Sequence, residues 1–191
     1  MLHTPLKIVV IGPESTGKSV LCQQLATHYG ALWCPEYARS YLEQNQRDGH
    51  YTRADLLAIA KGQLKAEDLV DSQARQLKDA MMLIDTDMYV MKIWSEFAFQ
   101  HCDHWILEQI AVRHYDYYLL CDIDLPWAPD PLREYPDPAM RQNLFNHYLD
   151  LLMHQQTPFS IINGQGAARL HKAIGVVDRE VLKAGPDLYK G

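Results

Sequence analysis

The 191-residue chain lacks a surplus of positive charge, with 18 Lys and Arg against 24 Asp and Glu and a net charge of −6. General nucleic-acid binding draws on the opposite balance, so no nucleic-acid partner is expected. Long apolar runs are also missing. Leu6–Ile11, near the N-terminus, is too short for a signal segment or a span, so no membrane partner and a cytoplasmic location are expected. Cysteine is sparse. Cys22, Cys34, Cys102 and Cys121 show no C-x-x-C or zinc-finger spacing and read as reduced, mostly buried thiols. No internal repeat or low-complexity tract divides the chain, and the length fits one domain over residues 1–191. Hydrophobic residues make up 48%, enough to build a core.

What is present alternates between short apolar runs and longer amphipathic stretches, which predicts an α/β fold. Strands are expected at Lys7–Ile11, Ala31–Cys34, Met81–Asp85, Tyr117–Cys121 and Phe159–Ile162. Most are continuously apolar, as in a parallel sheet covered on both faces. Leu21, Cys22, Leu25, Ala26 and Tyr29 recur at helical spacing after the first strand. Thr52 and Asp55 form a capping-box pattern opening a helix to about Asp71. Asp137-Pro138 is an N-cap and N1 pair, followed by a stripe of Met140, Leu144, Phe145, Tyr148, Leu149 and Leu152. Asp103 reads as the N-cap of a helix through Trp105 and Ile110, a better account of His101-Cys-Asp-His104 than a metal cluster.

Gly12-Pro-Glu-Ser-Thr-Gly-Lys-Ser19 fits G-x-x-x-x-G-K-[ST] in full, between a strand and a helix. Gly12 and Gly17 let the backbone wrap tightly, and the N–H groups of Pro13–Val20 (proline excepted) and the helix N-terminus face an anion. Lys18 is expected to bridge the outer phosphates of ATP, and Ser19 to ligate Mg²⁺. A GTPase is disfavoured, because no Asn-Lys-x-Asp motif and no Asp-x-x-Gly after the third strand is present. A motor-type ATPase is disfavoured by the Thr after Asp85.

Carboxylates cluster at predicted strand ends, where open α/β sheets bind ligands. Asp85 is expected to hold Mg²⁺ or to accept the substrate's proton. Asp87 shares its face if the strand continues, and its direction is open if the chain has turned. Glu36-Tyr37-Ala-Arg39 follows the second strand. Glu36 is a candidate base or hydroxyl acceptor, and Arg39 a phosphate anchor, the alternative being an i, i+3 surface ion pair.

Half of the ten prolines fall between Pro126 and Pro138, so this segment is neither helix interior nor central strand. It also carries Trp127, Asp130 and Arg133, and reads as a lid over about residues 125–137. Arg133 would stabilise the transferring phosphoryl group, and Trp127 would stack on the acceptor's ring. Arg169, after the last strand, would lie near adenine, although a helix-entry turn explains that segment equally well.

Taken together, Gly12–Ser19, Glu36–Arg39, Asp85-Thr-Asp87 and Pro126-Trp-x-Pro-Asp-Pro-Leu-Arg133 resemble the ribosylnicotinamide kinase domain of NadR-type proteins over almost the whole sequence. The resemblance implies a P-loop three-layer sandwich with a five-stranded parallel sheet in the order 2-3-1-4-5. It implies ATP-dependent phosphorylation of nicotinamide riboside, with Tyr37 and Asp130 joining Glu36, Arg39, Asp87 and Trp127 around the substrate. No His-x-Gly-His motif is present, so no adenylyltransferase activity is expected. A kinase for another small metabolite and a non-catalytic ATP-binding switch are the other readings.

Overall fold

A computed structural model of the protein describes residues 3–45 and 50–182. Five strands, β1 (Leu6–Ile11), β2 (Leu32–Cys34), β3 (Met81–Asp85), β4 (Tyr117–Cys121) and β5 (Phe159–Ile162), form one sheet in the order β2-β3-β1-β4-β5. Every pairing is parallel, with Leu6 opposite Met81, Ile8 opposite Tyr117, Leu32 opposite Met82 and Tyr118 opposite Phe159. The expected strands and order are therefore observed, with β1 starting one residue earlier and β2 one residue later.

Alternation within the buried strands divides the core in two. Ile8, Val10, Leu83 and Leu119 face α1 (Lys18–Tyr29) and α7 (Gly166–Val176). Val9, Ile11, Met82, Ile84 and Leu120 face α4 (Met88–Phe99) and α6 (Pro138–Met153). The result is a three-layer α/β/α sandwich. A third cluster joins α2 (Tyr37–Asn45), α3 (Arg53–Ala74), α4 and α5 (His104–Val112) through Leu42, Ile59, Met91 and Ile106.

Local chemistry sets the helix starts. The Thr52 and Asp55 capping box is formed on both sides, and α3 runs three residues past the expected end. Asp103 accepts from the Trp105 N–H, and Asp137 from Met140 N–H with Pro138 in the first turn. α4 was not foreseen. Its sequence, MYVMKIWSEFAF, is apolar almost all round and shows no clean stripe.

Parallel pairing sends all five strand ends to one edge of the sheet. That edge carries the loops after Ile11, Cys34, Asp85, Cys121 and Ile162. Residues 122–137, between β4 and α6, contain no helix or strand.

Candidate functional site

The glycine-rich loop leaves β1 at Gly12, whose φ is 140°. A Cβ there would lie 2.8 Å from the Cys121 carbonyl oxygen, so only glycine lets the loop pass β4. The loop closes at Gly17, the N-cap of α1, which offers no side chain to the first-turn N–H groups. Those donors are left for an anion. Thr16 is buried and its hydroxyl donates to Pro13 O at 2.7 Å. Lys18 Nζ donates to the same carbonyl at 3.0 Å, across the loop mouth.

The loop opens into a cavity of about 210 Å³. One end is the loop itself, Gly12 through Val20. The other is a chamber of aromatic and apolar groups: Trp94 and Phe97 from α4, Tyr135 from the 122–137 segment, Leu144 and Tyr148 from α6. Glu36, Arg39 and Arg133 are the charged side chains besides those of the loop.

Asp85 ends β3 beside this space and is fully buried. Neither of its carboxylate oxygens has a hydrogen-bond partner among the described residues. Burial and then the Glu36 charge push its pKa up to about 6, against the pull of the Lys18 ammonium and Ser19 hydroxyl. Two orphaned oxygens in a buried carboxylate are costly unless a ligand or ion completes them. Together with the Ser19 hydroxyl they form an all-oxygen donor set suited to Mg²⁺. Thr86, next in the chain, has φ 78° and a buried hydroxyl with no partner among the described residues. A β-branched residue there is strained, and such strain gathers at functional sites.

A family described as an AAA domain matches residues 7–169. The chain belongs to it. It is also similar to a solved structure of NadR protein in complex with NR, with 25% identity and a TM-score of 0.73, covering 92% of this chain and 51% of that one. A NadR structure with NAD and AMP-PNP gives 25% identity, a TM-score of 0.72, and coverage of 92% and 49%. The chain thus spans about half the length of these relatives. It shares its fold with deoxyadenosine kinase from M. mycoides with bound dATP, at 13% identity and a TM-score of 0.59, covering 91% of this chain and 99% of that one.

Within this AAA domain the residues expected at the site fall into two groups. Gly12 to Val20, Glu36, Arg39 and Arg133 line the cavity together, with Asp85 beside them. The others have different work. Asp87 caps α4: Oδ1 accepts from Tyr89 N–H at 3.0 Å and Val90 N–H at 3.4 Å, and Oδ2 from the Tyr118 hydroxyl at 2.8 Å. The carboxylate is thus engaged, 1% exposed, and does not line the cavity. The strand ends at Asp85 and the chain has turned. Arg169 is likewise buried. Its Nη2 donates to Thr16 O at 2.8 Å and Asp122 O at 3.3 Å, and its Nη1 pairs with Asp124 at 2.8 Å. These bonds brace the phosphate loop, and Arg169 does not line the cavity.

Trp127 does not line the cavity. The Arg141 guanidinium lies 5.7 Å from its ring centroid and occupies a face that was expected to take the acceptor. Arg141, buried on α6, also reaches the Ser15 and Leu125 carbonyls. Tyr37 sits against α3, and Asp130 bonds Arg39 Nη2 at 2.7 Å, tying the 122–137 segment to α2. That segment is further clasped by the loop. Glu14 Oε2 accepts from Glu134 N–H at 2.9 Å and Tyr135 N–H at 3.3 Å, while Ser15 Oγ accepts from Ala128 N–H at 2.9 Å and Arg133 Nη1 at 3.4 Å. Burial lifts the Glu14 pKa, and these N–H groups hold it down.

Sequence reasoning missed Trp94, Phe97, Tyr135 and Tyr148. By spacing alone, Tyr148 belongs to the α6 core stripe. Tyr148 lines the cavity while remaining 5% exposed. Trp94 is oriented by its indole N–H, which donates to the Tyr51 hydroxyl at 2.8 Å, and Tyr51 in turn donates to Glu134 at 2.7 Å.

Proposed function

We propose that this domain is an ATP-dependent kinase that phosphorylates a hydroxyl of a small ribosyl acceptor, with nicotinamide riboside as the favoured substrate. The observation carrying this reading is that one cavity joins a complete phosphate loop to an aromatic chamber, with Glu36 lining it and the orphaned Asp85 alongside. A nucleotide switch needs no second chamber. A kinase does, because its acceptor must meet the terminal phosphate within one enclosed space.

In this reading Lys18 gives up Pro13 O for the outer phosphates. Ser19 and Asp85 would hold Mg²⁺, which supplies charge neutralisation of the phosphates when bound. Glu36 opens onto the cavity while Asp85 is fully buried, so Glu36 is assigned the acceptor's proton. The acceptor oxygen bonds to the terminal phosphorus, its proton passes to the Glu36 carboxylate, and ADP leaves with the broken P–O bond's electrons. Arg133, lining the same space, would stabilise the charge on the transferring group.

The ring of nicotinamide riboside is a cation. Aromatic faces attract such a ring by about 0.5–2 kcal/mol beyond burial. Trp94, Phe97, Tyr135 and Tyr148 supply those faces, with Phe97 and Tyr135 packed edge to face at 5.0 Å. The similarity to NadR in complex with NR supports the same choice. The test is an acceptor screen reading ADP release with MgATP. Nicotinamide riboside should stimulate release far above the acceptor-free rate and above uncharged nucleosides. A neutral nucleoside giving the higher kcat/KM would move the assignment to another acceptor, and no stimulation by any acceptor would sink the kinase.

A further inference from the structure

Gly62 and Gln63 lie side by side within α3, outside the cavity. Glycine is a weak helix former, so its place in a helix interior asks for a reason. The reason is Tyr37. A Cβ on Gly62 would sit 2.0, 2.4 and 2.6 Å from Cε1, Cδ1 and Cζ of that ring. The bare backbone of α3 is a seat for the first residue of α2.

Gln63 completes the seat. It is 1% exposed, and both ends of its amide are engaged. Oε1 accepts from the Tyr37 N–H at 2.7 Å. Nε2 points at Pro35 O at 3.5 Å, Asp85 O at 3.4 Å and Cys34 Sγ at 3.7 Å. One buried side chain therefore touches the residue before Glu36, the residue after it, and the backbone of Asp85. Glu36 stands on the loop after β2 and Asp85 is the last residue of β3, and Gln63 bridges the two segments directly.

We propose that Gly62 and Gln63 are positioning residues, which fix the Glu36 carboxylate at the cavity and in register with Asp85. The proposal rests on the reading of Glu36 and Asp85 as the acidic groups of a kinase. It explains why α3, which lines none of the cavity, carries a glycine followed by a buried amide. Glu36 has no regular element of its own, since β2 ends at Cys34 and α2 starts at Tyr37. The bridge holds its peptide from both sides, through Pro35 O and the Tyr37 N–H.

The test uses the full chain with MgATP and nicotinamide riboside. Gln63→Met keeps the side-chain length and removes the hydrogen bonds. It is expected to lower kcat by about 10²-fold, the scale of a 1 Å misplacement, while KM for ATP stays within about twofold. Gly62→Ala should lower kcat in the same way, although alanine is the better helix former. Adding Tyr37→Ala to Gly62→Ala should recover most of that loss, because the ring clashes while the Gln63 bond is to the backbone. Amide exchange at Tyr37 should be slow in the wild type and faster in Gln63→Met. Normal kcat in Gln63→Met, or a double variant no better than Gly62→Ala, overturns the proposal. If the wild type phosphorylates no acceptor, the kinase reading fails, and the exchange decides this point alone: unchanged protection of the Tyr37 amide in Gln63→Met overturns it.

Discussion

The two ends of the cavity are built in opposite ways. The phosphate end comes from one stretch, Gly12 through Val20, and its parts are adjacent in sequence. The acceptor end is assembled from Glu36, α2, α4, the 122–137 segment and α6, whose contributions span Glu36 to Tyr148. The first end is shaped by backbone, and its chemistry is common to any nucleotide. The second is shaped by side chains that double as core, and it alone can choose a substrate. Backbone amides bind phosphate wherever the chain turns in this way, whereas selectivity has to be collected from distant elements.

Substitutions at the two ends should therefore fail differently. The largest effect is expected for Lys18→Ala, which should abolish phosphoryl transfer and leave thermal melting unchanged, since among the described residues the hydrogen bond of Lys18 is to Pro13 O. Turnover near normal in a folded Lys18→Ala protein would dissolve the distinction between the ends. Between them, Glu36→Gln should cost about 10²–10⁴-fold in kcat with little change in ATP affinity, the usual range for a general base. Asp85→Asn should instead raise the Mg²⁺ concentration needed for half-maximal rate. If Asp85→Asn is the more damaging at saturating Mg²⁺, the two roles are exchanged.

At the acceptor end, Tyr148→Phe should raise KM for the acceptor by about threefold to tenfold, the value of one hydrogen bond, with KM for ATP unchanged. An equal rise in both would mean that the phenol serves the whole cavity. Asp87, two residues from Asp85, gives the sharpest contrast within one loop, because it serves the fold. Burial above all pushes its pKa up from 3.8 to about 7, against the Tyr118 hydroxyl and the α4 N–H groups. Between those values the folded chain keeps a proton that the unfolded chain has released. Its contribution to stability is therefore largest below pH 4 and falls as pH rises towards 7. Asp87→Asn keeps a good cap and removes that slope, so urea midpoints of variant and wild type should move in the variant's favour from pH 5 to pH 8.

The smallest effect is expected from Trp127→Leu. The indole packs against Arg141 and does not line the cavity, so the loss should be about 0.5–1 kcal/mol of stability. Charged and neutral acceptors should suffer alike in kcat/KM. A selective penalty on nicotinamide riboside would return Trp127 to the acceptor end.

The same division governed what could be read from the residues. Strands legible as continuous apolar runs appeared where expected, and the phosphate loop was legible because its glycines and lysine occupy fixed offsets. α4 escaped because a helix buried on most sides has no polar face to set its period, yet Asp87 before Met-Tyr-Val was an available N-cap signal. Tyr148 escaped for a related reason. On an amphipathic stripe, a tyrosine facing a cavity and one facing the core carry the same spacing. Trp127 misled because a tryptophan on a proline-rich loop shows its exposure but not its partner, and Arg141 lies fourteen residues further along. Gln63 gave no signal, since its partners lie on three other segments.

The position of β1 in the middle of the sheet has a consequence for synthesis. Its six residues are the first of the five strands to leave the ribosome, yet its neighbours are β3 and β4. Leu6 pairs with Met81, a separation of 81 − 6 = 75 residues, and at roughly 5–20 residues per second that is a wait of about 4 to 15 s. β2 waits as well, since its partner is also β3. No pair of strands in this sheet can form until Met81–Asp85 has emerged, so two apolar segments stay unpaired until then. For that interval the nascent chain depends on α1 and α3, or on a chaperone, to cover Ile8–Ile11.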